Sequence, residues 1–351
     1  MKTILAILTF LCVSAAIVVI IEVVALLKIV TDDRFVYMSS PATPKAALPP
    51  SDDDPPATYD VYVDNIKVRQ FPDFESARAY AEAQTNAAIS RNRQTTWLWD
   101  NYPPYAVFID HKDYMAFDTF LEAVQAAKAV DRSYIYFRKN NNLIWSKNEK
   151  IPRAHQIDDV PLILQRPKLP RGCEVTSLAM LMQFYGIDVD KMTLANQVAK
   201  DSTPYERRNG RIYAGNPNRG FVGDMFNLNQ HGYGVYHKPI HALLAEYFPR
   251  AAMDLTGAEF SDILRFVAHD TPVWVVVNTR YNALPGTSFH TWHTPDGEMK
   301  VTYAMHAVVI TGYDERQIYF NDPFGIVSSA ERSGFVAAWE QMGRQAVAVS
   351  Q

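Results

Sequence analysis

The sequence predicts an α+β protein in which an N-terminal transmembrane helix precedes a small two-repeat domain and a larger C-terminal domain. Three observations predict it. The stretch from Ile4 to Leu27 is apolar apart from Glu22, and a strand–helix–strand pattern occurs twice between residues 58 and 148. From 156 to 347, an apolar helix begins at the one cysteine of that region, and β-branched runs at 272–277 and 306–313 read as strands. With 351 residues, 48 % hydrophobic and 21 % charged, the chain lies in the globular range and is long enough for two folded units. The net charge is −4 and the basic residues are spread along the chain, so no nucleic-acid partner is expected.

Residues 1–30 are read as an uncleaved signal anchor. About 20 apolar residues span the hydrocarbon core of a bilayer. The run continues well past Ser14-Ala15-Ala16, the stretch that most resembles a cleavage site. Phe10 and Leu11 before Cys12 do not make a lipoprotein signal. Lys2 flanks one end of the span and Lys28 and Arg34 the other; the C-terminal region is expected on the extracytoplasmic side of the cell membrane. Residues 31–57 form a linker whose composition, with Pro49-Pro50 and Asp52-Asp53-Asp54-Pro55-Pro56, cannot bury a core. Its prolines favour an extended spacer reaching on the order of 50 Å.

Residues 58–148 hold an internal repeat with an offset of 46, the step from Tyr59 to Tyr105. At the same offset Phe71 matches Phe117, Phe74 matches Phe120, Ala77 matches Ala123, Ala81 matches Ala127 and Trp99 matches Trp145. Each copy reads as a strand, an amphipathic helix and a strand ending in Trp, and the two β-α-β units are expected to pair their sheets into one small α+β domain. Nothing in them looks catalytic. A structural spacer is the plain reading, and contact with a cell-surface polymer through exposed aromatics is the alternative.

The chain has two cysteines, and Cys12 lies in the apolar N-terminal run. Cys173 is thus a lone thiol, and no disulfide framework is expected. Isolated cysteines are most often small buried hydrophobes, but the position of this one argues otherwise. Pro170 and Gly172 break structure just before it, and Leu178, Leu181, Met182 and Tyr185 follow at helical spacing as far as Gly186, a C-terminal stop. Cys173 is therefore expected in the first turn of a buried helix, where free N–H groups and the helix dipole lower a thiol pKa.

A thiol nucleophile needs a base, and histidine has the right pKa. His306 opens a β-branched strand to Tyr313, and the chain resumes at Gln317 towards Asn321-Asp322-Pro323. A hairpin folded about Glu315 brings His306 within about two positions of Asp322. A carboxylate beside an imidazole fixes its tautomer and stabilises the imidazolium. For the oxyanion, the Cys173 N–H is one donor, and the Gln165 amide is a second candidate beside its plain reading as a solvated loop residue.

The order of Gln165, Cys173 at a helix start, His306 at a strand start and Asp322 on the next strand resembles the papain superfamily. Within it, the runs at 169–177, 306–314 and 321–323 resemble the bacterial peptidase-like relatives of cysteine peptidase family thirty-nine, the family of bacteriocin-processing peptidases. The segment 215–224 is similar to a glycine-rich loop of these relatives, and the strand at 272–277 fits them. The resemblance covers residues 156–347 and neither the repeats nor the anchor. It implies a papain-like cysteine peptidase domain with Cys173 as nucleophile, His306 as base, Asp322 as orienting residue and Gln165 as oxyanion donor. There are two departures. The chain has one membrane segment and no phosphate-binding loop, where bacteriocin-processing peptidases are fused to an ATP-driven transporter. Glu174 follows the nucleophile where those enzymes commonly carry Gly.

His290 and His293, and the His237/His241 pair, lack the acidic or thiol partners of a zinc site, so no metal and no cofactor is expected. Gly220, Phe221, Gly223 and Trp292 are candidates for the wall of a substrate groove. The function expected is hydrolysis of peptide or amide bonds in a peptide or protein substrate. A cysteine acyltransferase or transpeptidase is the same-chemistry alternative; a non-catalytic cell-surface binding protein acting through the repeats is the alternative of another class.

Overall fold

Asp64-Asn65, with φ of 48° and 64°, has the positive dihedrals that a two-residue hairpin turn requires. It splits what reads as one strand into β1 (Tyr59–Val63) and β2 (Ile66–Phe71). Asp73 then caps α1 (Phe74–Glu82) by accepting from the Ser76 N–H, and β3 (Ala87–Arg91) and β4 (Trp99–Asp100) complete the first copy of the repeat. The second copy runs the same way through β5 (Tyr105–Ile109), β6 (Asp113–Phe117), α2 (Phe120–Ala129), β7 (Ser133–Phe137) and β8 (Asn142–Ser146). Thr119 caps α2, bonding both the Glu122 N–H and its carboxylate.

Each copy is thus β-β-α-β-β and not β-α-β. Each also forms its own four-stranded antiparallel sheet, in the orders β2-β1-β3-β4 and β6-β5-β7-β8. The expected pairing of the two sheets is absent among the described residues. The hairpin strand that the alternation pattern did not reveal takes the position beside β1 and β5 where the other copy would have paired.

The structure, a computed structural model, describes residues 57–91, 97–110 and 113–350. The expected membrane anchor and all but the end of the linker lie outside the described residues. Among the described residues no helix is long and apolar enough to cross a membrane.

The C-terminal region begins with β9 (His155–Gln156), α3 (Cys173–Phe184) and α4 (Lys191–Gln197). Short strands β10 (Lys200–Asp201), β11 (Glu206–Arg208), β12 (Arg211–Tyr213) and β13 (Phe221–Val222) lead to α5 (His237–Tyr247). There follow β14 (Ala252–Asp254), α6 (Phe260–Ala268), β15 (Val273–Asn278), β16 (His290–Thr294), β17 (Gly297–Val301), β18 (Met305–Tyr313), β19 (Gln317–Asn321), β20 (Ser329–Glu331), α7 (Arg332–Gln341) and β21 (Ala346–Val349). The main sheet has the order β14-β21-β15-β18-β19-β20, with β9 also paired to β18, and all its pairs are antiparallel.

Both faces of this sheet are covered, so β15 and β18 are buried at every residue and read as continuous apolar runs. On one face Trp274, Val276, Ala307 and Val347 meet Leu178, Leu181 and Met182 of α3. On the other, Val275, Val308 and Ile310 share a core with α6, α7 and the second repeat. Helix α3 is enclosed on all sides, with every residue from Cys173 to Met182 buried. It ends at Gly186, φ 78°, where Gly186 N–H bonds Gln183 O and Ile187 N–H bonds Met182 O, the paired bonds of a Schellman stop.

Candidate active site

Gly172 precedes the first turn of α3 because nothing larger fits. A Cβ there would lie 2.7 Å from the Cβ of Leu169. Cys173 occupies the first helical position, as expected, and its own N–H has no intrahelical acceptor there. The thiol is buried and donates to Oε2 of Glu174 at 3.2 Å. It also lies against the backbone N–H of Ala307, the residue after His306.

The expected acidic thiol is not what this environment produces. Burial pushes the thiol pKa well up, and the Glu174 carboxylate pushes it further; the Ala307 and Cys173 N–H groups oppose both without reversing them. The dipole of α3 points the right way, but burial of the thiol, with the Glu174 carboxylate beside it, outweighs it.

The hairpin of β18 and β19 has the expected register. Val309 faces Asn321, so Asp322 continues the ladder next to Val308, two residues from His306 and on the same strand face. His306 Nε2 meets Asp322 Oδ1 at 2.7 Å, and both side chains are almost fully buried. Asp322 Oδ1 also accepts the Phe324 N–H at 2.8 Å, and the Tyr281 hydroxyl reaches the same carboxylate. Burial works to raise the Asp322 pKa, but the His306 bond and charge, with the other donors, hold it below the usual carboxylate range. Phe324 stacks on the imidazole with centroids 4.4 Å apart and planes 8° apart, which fixes the ring plane. With Nε2–H donated to Asp322, the lone pair falls on Nδ1, which is buried and has no hydrogen-bond partner among the described residues.

Cys173 and His306 line one cavity of about 380 Å³, together with Gln165, Arg171, His231, Tyr233, Tyr303 and Phe324. Gln165 is buried in its wall, not solvated. Its amide Nε2 donates at 3.0 Å to both Leu169 O and Pro170 O, and the group left without a partner among the described residues is the acceptor Oε1. In this arrangement Gln165 braces the turn before Cys173 and offers no free donor to an oxyanion.

The expected groove residues lie behind this cavity. Phe221 is in the core under α3, and Gly220 and Gly223 allow backbones to touch: a Cβ on Gly223 would sit 2.4 Å from His231 O. Trp292 is fully buried, its ring stacked edge-on against Tyr233, so it supports the wall instead of forming it. His293 and His237 pair with Glu298 and Asp254. Sequence reasoning missed Tyr233, His231 and Tyr303 as lining residues, and no motif marks them. Phe324 had a signal, two residues after Asp322 in the same turn, as did Glu174, noted only as a departure.

A buried helix starting at a cysteine, set against an antiparallel sheet that presents a paired histidine and aspartate, defines a relative of the papain superfamily. Residues 157–347 match the model of the Peptidase_C39 like family, more than half of the chain, and the chain belongs to that family. A curated relative, the uncharacterized protein YvpB of Bacillus subtilis (strain 168), is 44 % identical over 187 residues, covering 53 % of this chain and 72 % of the relative. The crystal structure of a protein described as a C39-like peptidase from Bacillus anthracis superimposes with a TM-score of 0.53 at 40 % identity, over 57 % of this chain and 98 % of the other.

Proposed function

We propose that the protein is a cysteine peptidase, held at the membrane by residues 1–30 and hydrolysing peptide or amide bonds on the extracytoplasmic side. The observation that carries this reading is the His306–Asp322 pair at 2.7 Å with Nδ1 left over, on a cavity that also holds the Cys173 sulfur. In this mechanism Nδ1 takes the thiol proton as the sulfur attacks the carbonyl, and Asp322 stabilises the imidazolium so formed. His306 then protonates the leaving amine, and water, activated by the same ring, releases the acyl group from sulfur. The Cys173 N–H is the oxyanion donor in this scheme, and Gln165 keeps the preceding turn in place.

Activity-based labelling of intact cells with a membrane-impermeant thiol probe tests reactivity and topology together. Labelling that Cys173→Ala abolishes is expected, and His306→Ala is expected to slow turnover by about two to four orders of magnitude. A folded wild-type protein inert to every thiol probe would overturn the reading. Product analysis with an added amine separates hydrolysis from acyl transfer: the carboxylic acid is the expected product, and an amide would assign a transferase.

A further inference from the structure

We propose that Glu174 is a positioning residue that gates the nucleophile by its protonation: the carboxylate retains the Cys173 thiol proton, and the neutral acid releases that proton to His306. This rests on the peptidase reading and adds a control to it. The carboxyl group is fully buried and makes three contacts, one of them with its own backbone N–H. Oε1 accepts the Val235 N–H at 2.8 Å, and Oε2 accepts the Cys173 thiol at 3.2 Å. The fit depends on Gly234, where a Cβ would lie 2.3 Å from Oε1. An acid has thus been built into the one place where it touches the sulfur.

Two further observations give the contact a direction. The Cys173 sulfur has Glu174 Oε2 as its side-chain hydrogen-bond partner, while His306 Nδ1 has no partner among the described residues. No ion pair neutralises Glu174 among the described residues. Arg171 is turned to the backbone carbonyls of Asp224, Asn227 and Leu228, and His306 to Asp322. The titratable groups facing Glu174 are Cys173 on its own helix, whose thiol bond favours the carboxylate, and the neutral Tyr233 and Tyr236 on the segment packed against it. Burial accordingly raises the carboxyl to about 7, where a small change in pH changes its state.

The proton count is simple. With Glu174 ionised, the three groups are thiol, carboxylate and neutral imidazole. One proton taken from water onto Oε2 makes a carboxylic acid whose O–H donates to sulfur, and the thiol proton moves to His306 Nδ1. The result is thiolate, neutral acid and imidazolium, one proton richer than before. The reactive pair therefore belongs to the acid side of the Glu174 titration, the reverse of an ordinary thiol, whose reactivity rises with pH.

The test is the rate of iodoacetamide alkylation of Cys173 in the full-length protein, read by mass spectrometry of the Cys173 peptide, against pH. The wild type is expected to lose at least about tenfold in rate as pH rises through the Glu174 titration, before ordinary thiol ionisation takes over at high pH. Glu174→Gln keeps the acceptor for the Val235 N–H and places an N–H on sulfur, so the fall should vanish and the variant should exceed wild type about tenfold at pH 8. A purely structural Glu174 would leave the shape of the profile unchanged. Overlapping profiles that rise through neutrality in both proteins overturn the inference. If Glu174→Gln does not fold, the presence or absence of the fall in the wild type decides. A Cys173 no more reactive than glutathione at any pH in either protein would instead defeat the peptidase reading itself.

Discussion

The two copies of the repeat carry the same aromatic pattern, yet the second shares the core of the C-terminal region and the first has a small core of its own. In the second copy Phe120 meets Phe266, the Tyr105 hydroxyl bonds Asp254 O, and Trp145 Nε1 donates to Asp262 at 3.0 Å. Lys128 pairs with both Glu259 and Asp262. The matching Tyr59, Phe74 and Trp99 of the first copy are only partly buried around a separate small core of Val61, Ala77, Ala81, Ala87 and Ile89. At the position of Lys128 the first copy has Glu82, which pairs with Arg78 of its own helix. A common pattern specifies the unit, and a few side chains on its outside specify where it sits.

The sharpest way to break the comparison is deletion. Removing residues 1–103 should leave the thermal transition of the C-terminal region within about 4 °C, a shift worth about 1 kcal/mol. Removing residues 1–150 uncovers Met253, Leu255, Phe260 and Phe266, and should abolish a soluble cooperative unit by calorimetry. Next in size, Trp145→Ala should cost about 3–5 kcal/mol in urea unfolding and leave Asp262 without its indole partner, against about 1–2 kcal/mol for Trp99→Ala, confined to the first copy.

The buried carboxylates sharpen the same contrast. Asp262 has a cation and an indole, and Glu174 has neither. The folded-state pKa of Glu174 is raised from 4.5 to about 7. The folded protein therefore keeps a proton that the unfolded chain releases, so stability falls as pH rises between those values. At pH 8 Glu174→Gln should be more stable than wild type by up to about 3 kcal/mol, and the gap should close below about pH 5. Lys128→Met should cost about 1–3 kcal/mol by stranding Asp262. Lys128 itself is desolvated, but its bonds to Asp262 and Glu259 raise its pKa overall, so its contribution persists until pH rises past the ordinary lysine range. Glu82→Lys, at the matching exposed site, should change stability by less than about 0.5 kcal/mol.

Much of the candidate site could be read from local spacing. The start and stop of α3, the strand after His306 and the two-position offset to Asp322 depend on periodicity and turn residues that lie within a few positions of each other. The second hairpin strand of the first repeat escaped because Asp64-Asn65 sits inside an alternating run and reads as its continuation. The groove residues were misplaced because glycines there serve contacts between backbones, and composition does not distinguish such glycines from those of an open loop.

Chemistry along the chain was enough to identify the family, the thiol at a helix start and the paired histidine and aspartate, because helix ends and strand registers are set by near neighbours. Folding in space set the ionisation of that thiol, the orientation of the Gln165 amide and the unequal fates of the repeats. Each of these depends on desolvation and on contacts between residues far apart in sequence, such as Gly234 making room for Glu174 and Asp262 receiving Trp145, and no local pattern encodes them.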